Sequence, residues 1–225
     1  MNQLARKTVL GFMQLIIGLG VALFASAWTL DFWQAWAYLF VFVVSSALIT
    51  AYLWRKDPGL LARRVNAGPG AETDRQQKLI QVFASIVFIG AIVCPALEHR
   101  FSASAVPLPV VIAGDGLVAL GFFIVFMVFK ENSFAAATIV VAAEQEVVST
   151  GPYAIVRHPM YAGALILFFG TPLALGSWRG LLLFIPMALV IGWRLLNEEK
   201  LLSKELSGYL EYCSKVPYRL VPGIW

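Results

Sequence analysis

The chain has 225 residues, of which 60% are hydrophobic and only 13% are charged. This composition excludes an ordinary soluble domain and indicates an integral membrane protein, whose spans must be helical because lipid offers the backbone no hydrogen-bonding partner. The net charge of +4 does not indicate nucleic-acid binding, because the basic residues flank apolar runs, where anionic lipid headgroups are the nearer partner.

Six apolar runs are candidate membrane spans, because a helix needs about 20 residues to cross the hydrocarbon core. The last two are short and are joined by residues 177–179, which predicts an antiparallel helical hairpin. We therefore predict an all-α, polytopic membrane bundle with a four-helix region over residues 1–129 and a second region, with the hairpin, over residues 130–225. The runs are Val9–Leu30, Gln34–Trp54, Leu79–Leu97, Pro109–Phe129, Met160–Gly176 and Gly180–Leu196.

Positive charge sets the expected orientation, because cytoplasmic loops retain lysine and arginine. With the N-terminus inside, all but two of the 17 basic residues fall on one side, the exceptions being Arg100 and Arg179. The alternative, a secretory signal cleaved after Ala25-Ser26-Ala27, is disfavoured by the length of the first run and by the second run that follows it. We expect a bacterial inner-membrane protein with both termini in the cytoplasm.

Two loop features have more than one interpretation. The segment from Arg55 to Lys78 is predicted to form a short interfacial helix followed by a turn, and it could form the floor of a site. Alternatively, Leu60 and Leu61 dip into the membrane interface while the neighbouring arginines meet lipid phosphate. Asn132, just after the fourth run, could equally cap a helix or hold a ligand.

Residues 151–163 interrupt the apolar pattern with Gly-Pro-Tyr-Ala-Ile-Val-Arg-His-Pro-Met-Tyr-Ala-Gly. Charged, imidazole and phenol groups beside lipid are costly unless they serve a site. A helix cannot easily start before Pro159, so the backbone at Arg157 and His158 is expected to be extended, with amides that a bound polar ligand could satisfy. The helix that starts near Pro159 would direct its positive end at the same place and favour an anionic group.

A second polar segment follows the last run and begins with Glu198 and Glu199. The leucine spacing after it suits an amphipathic helix on the cytoplasmic membrane surface over residues 198–212. Adjacent helical residues point about 100° apart, so at most one of the two acids can face a ligand, while the other would hold a cation such as Arg157 or Arg194. The alternative is that both acids merely favour a helix N-terminus.

The order of these features is itself informative: the 151–163 motif, an apolar hairpin, the acid pair, and a tail with Tyr209, Tyr212 and Val216-Pro217. Over residues 130–225 it resembles the isoprenylcysteine carboxyl methyltransferase family and its phospholipid methyltransferase relatives. The resemblance implies a methyltransferase that uses S-adenosyl-L-methionine and acts on a lipophilic substrate. The reaction would be carboxylate O-methylation of a prenylcysteine-like group or N-methylation of a lipid amine.

The resemblance also implies residue roles within the 130–225 region. Arg157 would orient the accepting group, and Glu198 or Glu199 would take a proton from an amine acceptor. The expected partners are the lipophilic substrate and membrane lipids; no metal is expected, and the oligomeric state is open. The tail departs from the family pattern at residues 206–209 and at Lys215, which leaves its contacts open. The cofactor-contacting residues would be Tyr153, His158, Pro159, Tyr161, Gly163, Glu198, Glu199 and Tyr212.

Two other functions compete with this interpretation. Membrane sterol and steroid reductases have a similar terminal half, with a tail close to residues 212–219, but the phosphates of NADPH call for more basic residues than the chain carries between Lys130 and Arg194. A non-catalytic transporter or assembly protein is the third candidate. A transporter would place charged or broken-helix sites near mid-membrane in two corresponding halves, and no such repeat is visible.

Overall fold

The computed structural model describes residues 3–68, 70–72, 74–102, 106–138 and 145–225, and in these ranges the chain is helical. Eight α-helices and two short 3₁₀ turns make up the described part. The helices are α1 Gln3–Ala27, α2 Trp33–Lys56, α3 Pro58–Val65, α4 Arg75–Ser102, α5 Leu108–Glu131, α6 Pro159–Ala174, α7 Phe184–Glu205 and α8 Tyr209–Lys215, and the 3₁₀ turns are Gly151–Ala154 and Arg179–Leu183.

Five helical segments are long and apolar enough to cross a membrane: α1, α2, α4, α5 and the continuous run Arg179–Glu205 that contains α7. Helix α6 has 16 residues. At 1.5 Å per residue it is about 24 Å long, less than the roughly 30 Å of a hydrocarbon core. The predicted all-α polytopic bundle is therefore confirmed, with one short helix in place of the fifth predicted span.

The long helices alternate in direction, so their ends gather at two opposite sides of the bundle. At one side, the ring of His99 meets the carbonyl of Asp31 at 3.1 Å, and the Ser177 hydroxyl donates to Glu98. The other side, which we call the site end, collects the C-termini of α2, α5 and α7 and the N-termini of α4 and α6. Apart from the loops at the opposite side, the polar segments predicted from the sequence therefore lie together at the site end.

Helices α5 and α6 pack at very close range through facing glycines. A Cβ on Gly114 would lie 2.3 Å from the backbone nitrogen of Ala174, and one on Gly121 would lie 2.6 Å from the carbonyl oxygen of Gly163. Small residues are what allow membrane helices to approach so closely. This contact fixes the position of α6, and with it the start of the helix that carries the polar motif.

Helix α3 lies beneath the site end. Asp57 caps it by accepting a hydrogen bond from the Leu60 amide at 2.8 Å, and Pro58 occupies its first turn, where the missing N–H costs nothing. Leu60 and Leu61 are 0% and 4% exposed and pack with Phe129 of α5. They lie inside the protein rather than in the membrane interface, so the lipid-dipping interpretation is wrong. Helix α3 packs through them against Met160 and Tyr153 of the polar motif.

The predicted tail helix begins later than expected. Glu198 and Glu199 belong to the last turns of α7, which continues through Glu205. Residues 200–206 contain no glycine or proline that would end the helix earlier. Gly208 then adopts a left-handed backbone with φ of +81°, and the short helix α8 begins at Tyr209. The two acids therefore extend a membrane helix instead of opening a separate surface helix.

Candidate active site

A pocket at the site end lies between the 3₁₀ turn Gly151–Ala154, the start of α6, the last turns of α7 and helix α8. Polar and aromatic side chains share its walls with apolar ones. Asn132 and Met160 line it, and Tyr209 closes it from the tail. The predicted site residues that line the pocket are Tyr153, Arg157, His158, Pro159, Tyr161, Glu198 and Tyr212.

Two predicted site residues are not in the pocket wall. Gly163 lies in the α5–α6 contact, where an added Cβ would be 3.0 Å from the carbonyl oxygen of Gly121. Helix packing alone therefore favours glycine at this position, whether or not a ligand binds nearby. Glu199 lies behind the wall, 8% exposed, and is fully engaged with neighbouring cations.

The wall begins where α6 starts. Pro159 is the first helical residue and His158 precedes it, and neither His158 nor any other described side chain caps this helix end. The first-turn amides of a helix have no partner inside the helix. Because residues 158–161 line the pocket, these amides and the positive end of α6 are available to an anionic ligand there.

The extended segment before α6 forms backbone hydrogen bonds with the C-terminal tail. The amide of Arg157 donates to the carbonyl of Tyr218 at 2.9 Å, and the amide of His158 donates to that of Arg219 at 2.9 Å. The prediction that a bound ligand satisfies these two amides is therefore wrong. The tail pairs with the motif like an added strand, and this pairing holds it over the pocket.

Glu199 ties the motif, α7 and the tail together. Its Oε1 lies 2.9 Å from Arg157 Nη1 and 3.3 Å from His158 Nε2, and its Oε2 lies 2.8 Å from Arg219 Nε. Arg157 also donates through Nη2 to the carbonyl of Pro217 at 2.9 Å. Charge-assisted hydrogen bonds in a buried setting are strong and specific. Arg157 is thus committed to the framework, and only its Nε is buried without a partner among the described residues.

Glu198 belongs to a second polar network, on a different face of α7 from Glu199. The Tyr161 hydroxyl donates to Glu198 Oε2 at 2.5 Å and accepts from Arg194 Nε at 3.2 Å. Arg194 in turn pairs with Glu72 at 2.8 Å and donates to Gln77 at 3.3 Å. The two adjacent acids are therefore separated as helix geometry predicts, with Glu198 facing the pocket and Glu199 holding Arg157.

The sequence analysis allowed the segment from Arg55 to Lys78 a place at the site but did not identify Glu72 in it. Glu72 is only 4% exposed, although it lies in a polar, turn-rich stretch that gives no local sign of burial. The role of Glu72 follows from its ion pair with Arg194, a residue 122 positions away along the chain, which local sequence pattern does not reveal. Asn132, whose role the sequence left open, donates to the Tyr153 hydroxyl at 2.9 Å and accepts from the Phe134 amide at 2.8 Å, so it shapes the pocket wall.

Three tyrosines line the pocket where the tail meets the 3₁₀ turn: Tyr209 and Tyr212 of α8 are buried, and Tyr153 of the turn is half-buried. The Tyr212 hydroxyl donates to the carbonyl of Tyr153 at 2.7 Å. Burial raises the pKa of Tyr153 to about 12 and raises the pKa values of Tyr209 and Tyr212 well above the ordinary range. Tyr209 is 4% exposed, and its hydroxyl has no hydrogen-bond partner in the described ranges.

Residues 109–207 match the sequence model of the phospholipid methyltransferase family. The matched stretch contains α5, α6 and α7, and so includes the motif and both glutamates, while the tail with Tyr209 and Tyr212 lies beyond it. The match supports the expected resemblance at the level of membrane methyltransferases. The narrower isoprenylcysteine family stays a prediction.

A second similarity points to a reductase. The chain is 32% identical over 91 residues to Delta(14)-sterol reductase of Mus musculus, and the aligned part covers 39% of this chain and 22% of the reductase. The chain therefore spans about a fifth of the length of that relative. This agrees with the likeness to sterol reductases noted from the tail, but it covers too little of the reductase to transfer its activity.

Proposed function

We propose that this chain is an integral membrane methyltransferase that uses S-adenosyl-L-methionine and methylates a lipophilic acceptor. The observation that carries the proposal is the polar pocket at the site end, most of whose walls come from residues 109–207, the stretch that matches the phospholipid methyltransferase family. The distribution of basic residues favours a cytoplasmic position for this end, where a water-soluble cofactor is available.

The groups in the pocket fit the functional groups of the cofactor. The uncapped start of α6 suits its carboxylate. The rings of Tyr153 and Tyr161 suit a sulfonium cation, and the Glu198 carboxylate can accept hydrogen bonds from the ammonium or ribose hydroxyls. The Tyr209 hydroxyl, which has no hydrogen-bond partner among the described residues, supplies one further polar contact.

The bound cofactor supplies an electrophilic methyl group on sulfur. The chain itself has to align the acceptor for in-line displacement and keep water out, which the tail does by pairing with the amides of Arg157 and His158. A carboxylate acceptor attacks with its own lone pair and needs no base. An amine acceptor must lose a proton. Glu146 and Glu198 both line the pocket, and we propose Glu198 as the base because it lies beside Tyr161 at the start of α6.

Arg157 has a different place in this proposal from the one the sequence indicates. Its Nη groups are engaged by Glu199 and by the carbonyl of Pro217, so they are not free to hold an acceptor. We propose that Arg157 is a positioning residue, which fixes the tail over the pocket through Glu199. Residues other than Arg157 must then bind the methyl acceptor.

Incubation of the purified protein with radiolabelled S-adenosyl-L-methionine and a lipid extract tests the proposal. We expect label in a lipid product; base-labile label indicates an ester, and stable label indicates an N-methyl group. Glu198→Gln is expected to abolish transfer to an amine but to leave transfer to a carboxylate measurable. No incorporation, together with no stabilisation by the cofactor, contradicts the proposal.

The second candidate is an NADPH-dependent reductase of the sterol type, favoured by the similarity to the mouse enzyme. Among the described residues that line the pocket, Arg157 is the only lysine or arginine, and it is already paired with Glu199. That leaves little charge for the phosphates of NADPH. Thermal unfolding with each cofactor separates the candidates, because the cofactor that binds raises the unfolding temperature.

A further inference from the structure

Arg64 in helix α3 carries a half-buried guanidinium with no carboxylate within 4 Å in the part of the chain that the structure describes. It donates to the carbonyl of Ala136 at 3.0 Å, contacts Met160 Sδ at 3.7 Å and lies over the ring of Phe129 at 4.8 Å. Buried charges in proteins are normally paired. Among the described residues, therefore, the charge of Arg64 has backbone, sulfur and aromatic contacts but no acid partner.

A second guanidinium stands beside it. Arg64 donates to the carbonyl of Ala136, and Arg194 donates to that of the next residue, Ala137, at 2.9 Å. Arg64 contacts Met160, and Arg194 contacts the hydroxyl of the next residue, Tyr161. The two arginines therefore contact neighbouring residues in the same two segments, and the charge of Arg194 acts on Arg64, so the two guanidinium groups lie near each other.

The two arginines differ in their acid partners. Glu72 lies within 4 Å of Arg194, and Glu198 joins the same network through the Tyr161 hydroxyl, whereas no described acid lies within 4 Å of Arg64. Burial, together with the charge of Arg194, lowers the pKa of Arg64 to about 10, so it remains a cation at neutral pH. A guanidinium without a direct acid partner can donate to a phosphate or carboxylate group.

The pair stands between the pocket and the lipid. Met160 lines the pocket and packs in the same apolar cluster as Phe129, Tyr52 and Ile49. Tyr52 and Ile49 also line an apolar groove between α2 and α5, where the Tyr52 ring packs edge-on against Phe126 at 4.9 Å. The outer residues of this groove, Leu48 and Phe123 among them, are exposed on the membrane-facing surface.

We propose that Arg64, with Arg194 beside it, binds the anionic group of a lipid whose hydrocarbon chain lies in the groove between α2 and α5. Charge complementarity selects the headgroup, and the apolar groove that reaches the same cluster selects the chain. The inference deepens the proposed function by naming the methyl acceptor as an anionic lipid, and it rests on that function only in taking the bound lipid to be the acceptor.

Binding can be measured on the full chain, purified in the uncharged detergent dodecyl maltoside. Dodecyl phosphate, dodecanoate and inorganic phosphate are titrated separately while thermal unfolding is followed. At least one of the two amphiphiles is expected to raise the unfolding temperature saturably, with inorganic phosphate at the same concentration having no effect. Arg64→Gln is expected to weaken this binding at least about tenfold, the loss of one charge-assisted contact.

The matched control is Arg63→Gln, which removes the same charge from the adjacent, exposed arginine. Its affinity is expected to stay within about twofold of wild type, because an exposed charge contributes little. Ala119→Phe fills the groove without touching either arginine and is expected to weaken binding of both amphiphiles. This variant keeps the test decisive if Arg64→Gln does not fold.

Three results would overturn the inference: no saturable effect of either amphiphile on the wild type, unchanged affinity in Arg64→Gln or Ala119→Phe, or an equal response to inorganic phosphate. The titration contains no S-adenosyl-L-methionine and requires no methyl transfer. Failure of the proposed function appears as absent cofactor binding and absent labelling. Failure of this inference appears in the lipid titration while cofactor binding persists.

Discussion

Arg157 and Glu199 form a buried ion pair, with 2.9 Å between Nη1 and Oε1, that joins the segment before α6 to the end of α7. The second oxygen of Glu199 holds Arg219 of the tail at 2.8 Å. One carboxylate therefore links three segments that are far apart in sequence. Loss of this group leaves two cations without their shared partner, and the tail loses its attachment through Arg219.

Glu199→Gln is expected to lower the free energy of unfolding by roughly 3 kcal/mol, because it leaves buried cations uncompensated. Thermal unfolding in detergent measures this, and limited proteolysis is expected to cut residues 216–225 faster than in wild type. Glu211→Gln is the control, since Glu211 pairs with Lys215 on the exposed face of α8. That pair is exposed to solvent and should contribute little to stability. Equal effects of the two variants would contradict the linking role of Glu199.

The tyrosines of the pocket give a prediction in which two similar changes have opposite effects on stability. Tyr209→Phe removes a buried hydroxyl without a partner in the described structure, so the unliganded protein should be as stable as wild type or more stable by about 1 kcal/mol. Tyr212→Phe removes the hydrogen bond to the Tyr153 carbonyl and should cost about 1 kcal/mol. Both values come from thermal unfolding without cofactor.

The same Tyr209 variant tests the cofactor site. If its hydroxyl contacts the cofactor, Tyr209→Phe should weaken binding of S-adenosyl-L-methionine by about tenfold, the loss of one hydrogen bond to a polar ligand. Calorimetric titration of the purified protein measures this affinity. Unchanged affinity of Tyr209→Phe for the cofactor would remove Tyr209 from the proposed site.

Much of the fold is predictable from the sequence, because lipid forces long apolar runs to be helices, and the 100° step of a helix already separates Glu198 from Glu199. The residues that pair with these acids are harder to predict from the sequence. Arg157 carries the right charge for an acceptor-binding role, and nothing local shows that Glu199 and Pro217 occupy it. Likewise, the satisfaction of the Arg157 amide by Tyr218 depends on the path of the tail, which local pattern does not encode.

Helix packing at the α5–α6 contact gives a prediction with a control in the same helix. Gly114→Ala would place a Cβ 2.3 Å from the backbone nitrogen of Ala174, which cannot move aside as a flexible side chain could. We expect it to lower the free energy of unfolding by about 2 kcal/mol or more. Gly116→Ala meets nothing within 4 Å and should be neutral or stabilising by up to about 1 kcal/mol, since alanine favours helix. Similar unfolding temperatures for the two variants would contradict this close packing.

The raised tyrosine pKa values predict a loss of stability at high pH. Unfolded tyrosine titrates near pH 10, whereas burial raises the pKa of folded Tyr153 to about 12. The stabilising effect of the neutral phenol is therefore fully present below about pH 10 and is lost as pH rises towards 12, because only the unfolded chain releases its proton over that range. Unfolding temperatures measured from pH 8 to 12 should fall above pH 10, and less steeply in Tyr153→Phe than in wild type. Parallel curves for the two proteins would show that this phenol does not contribute.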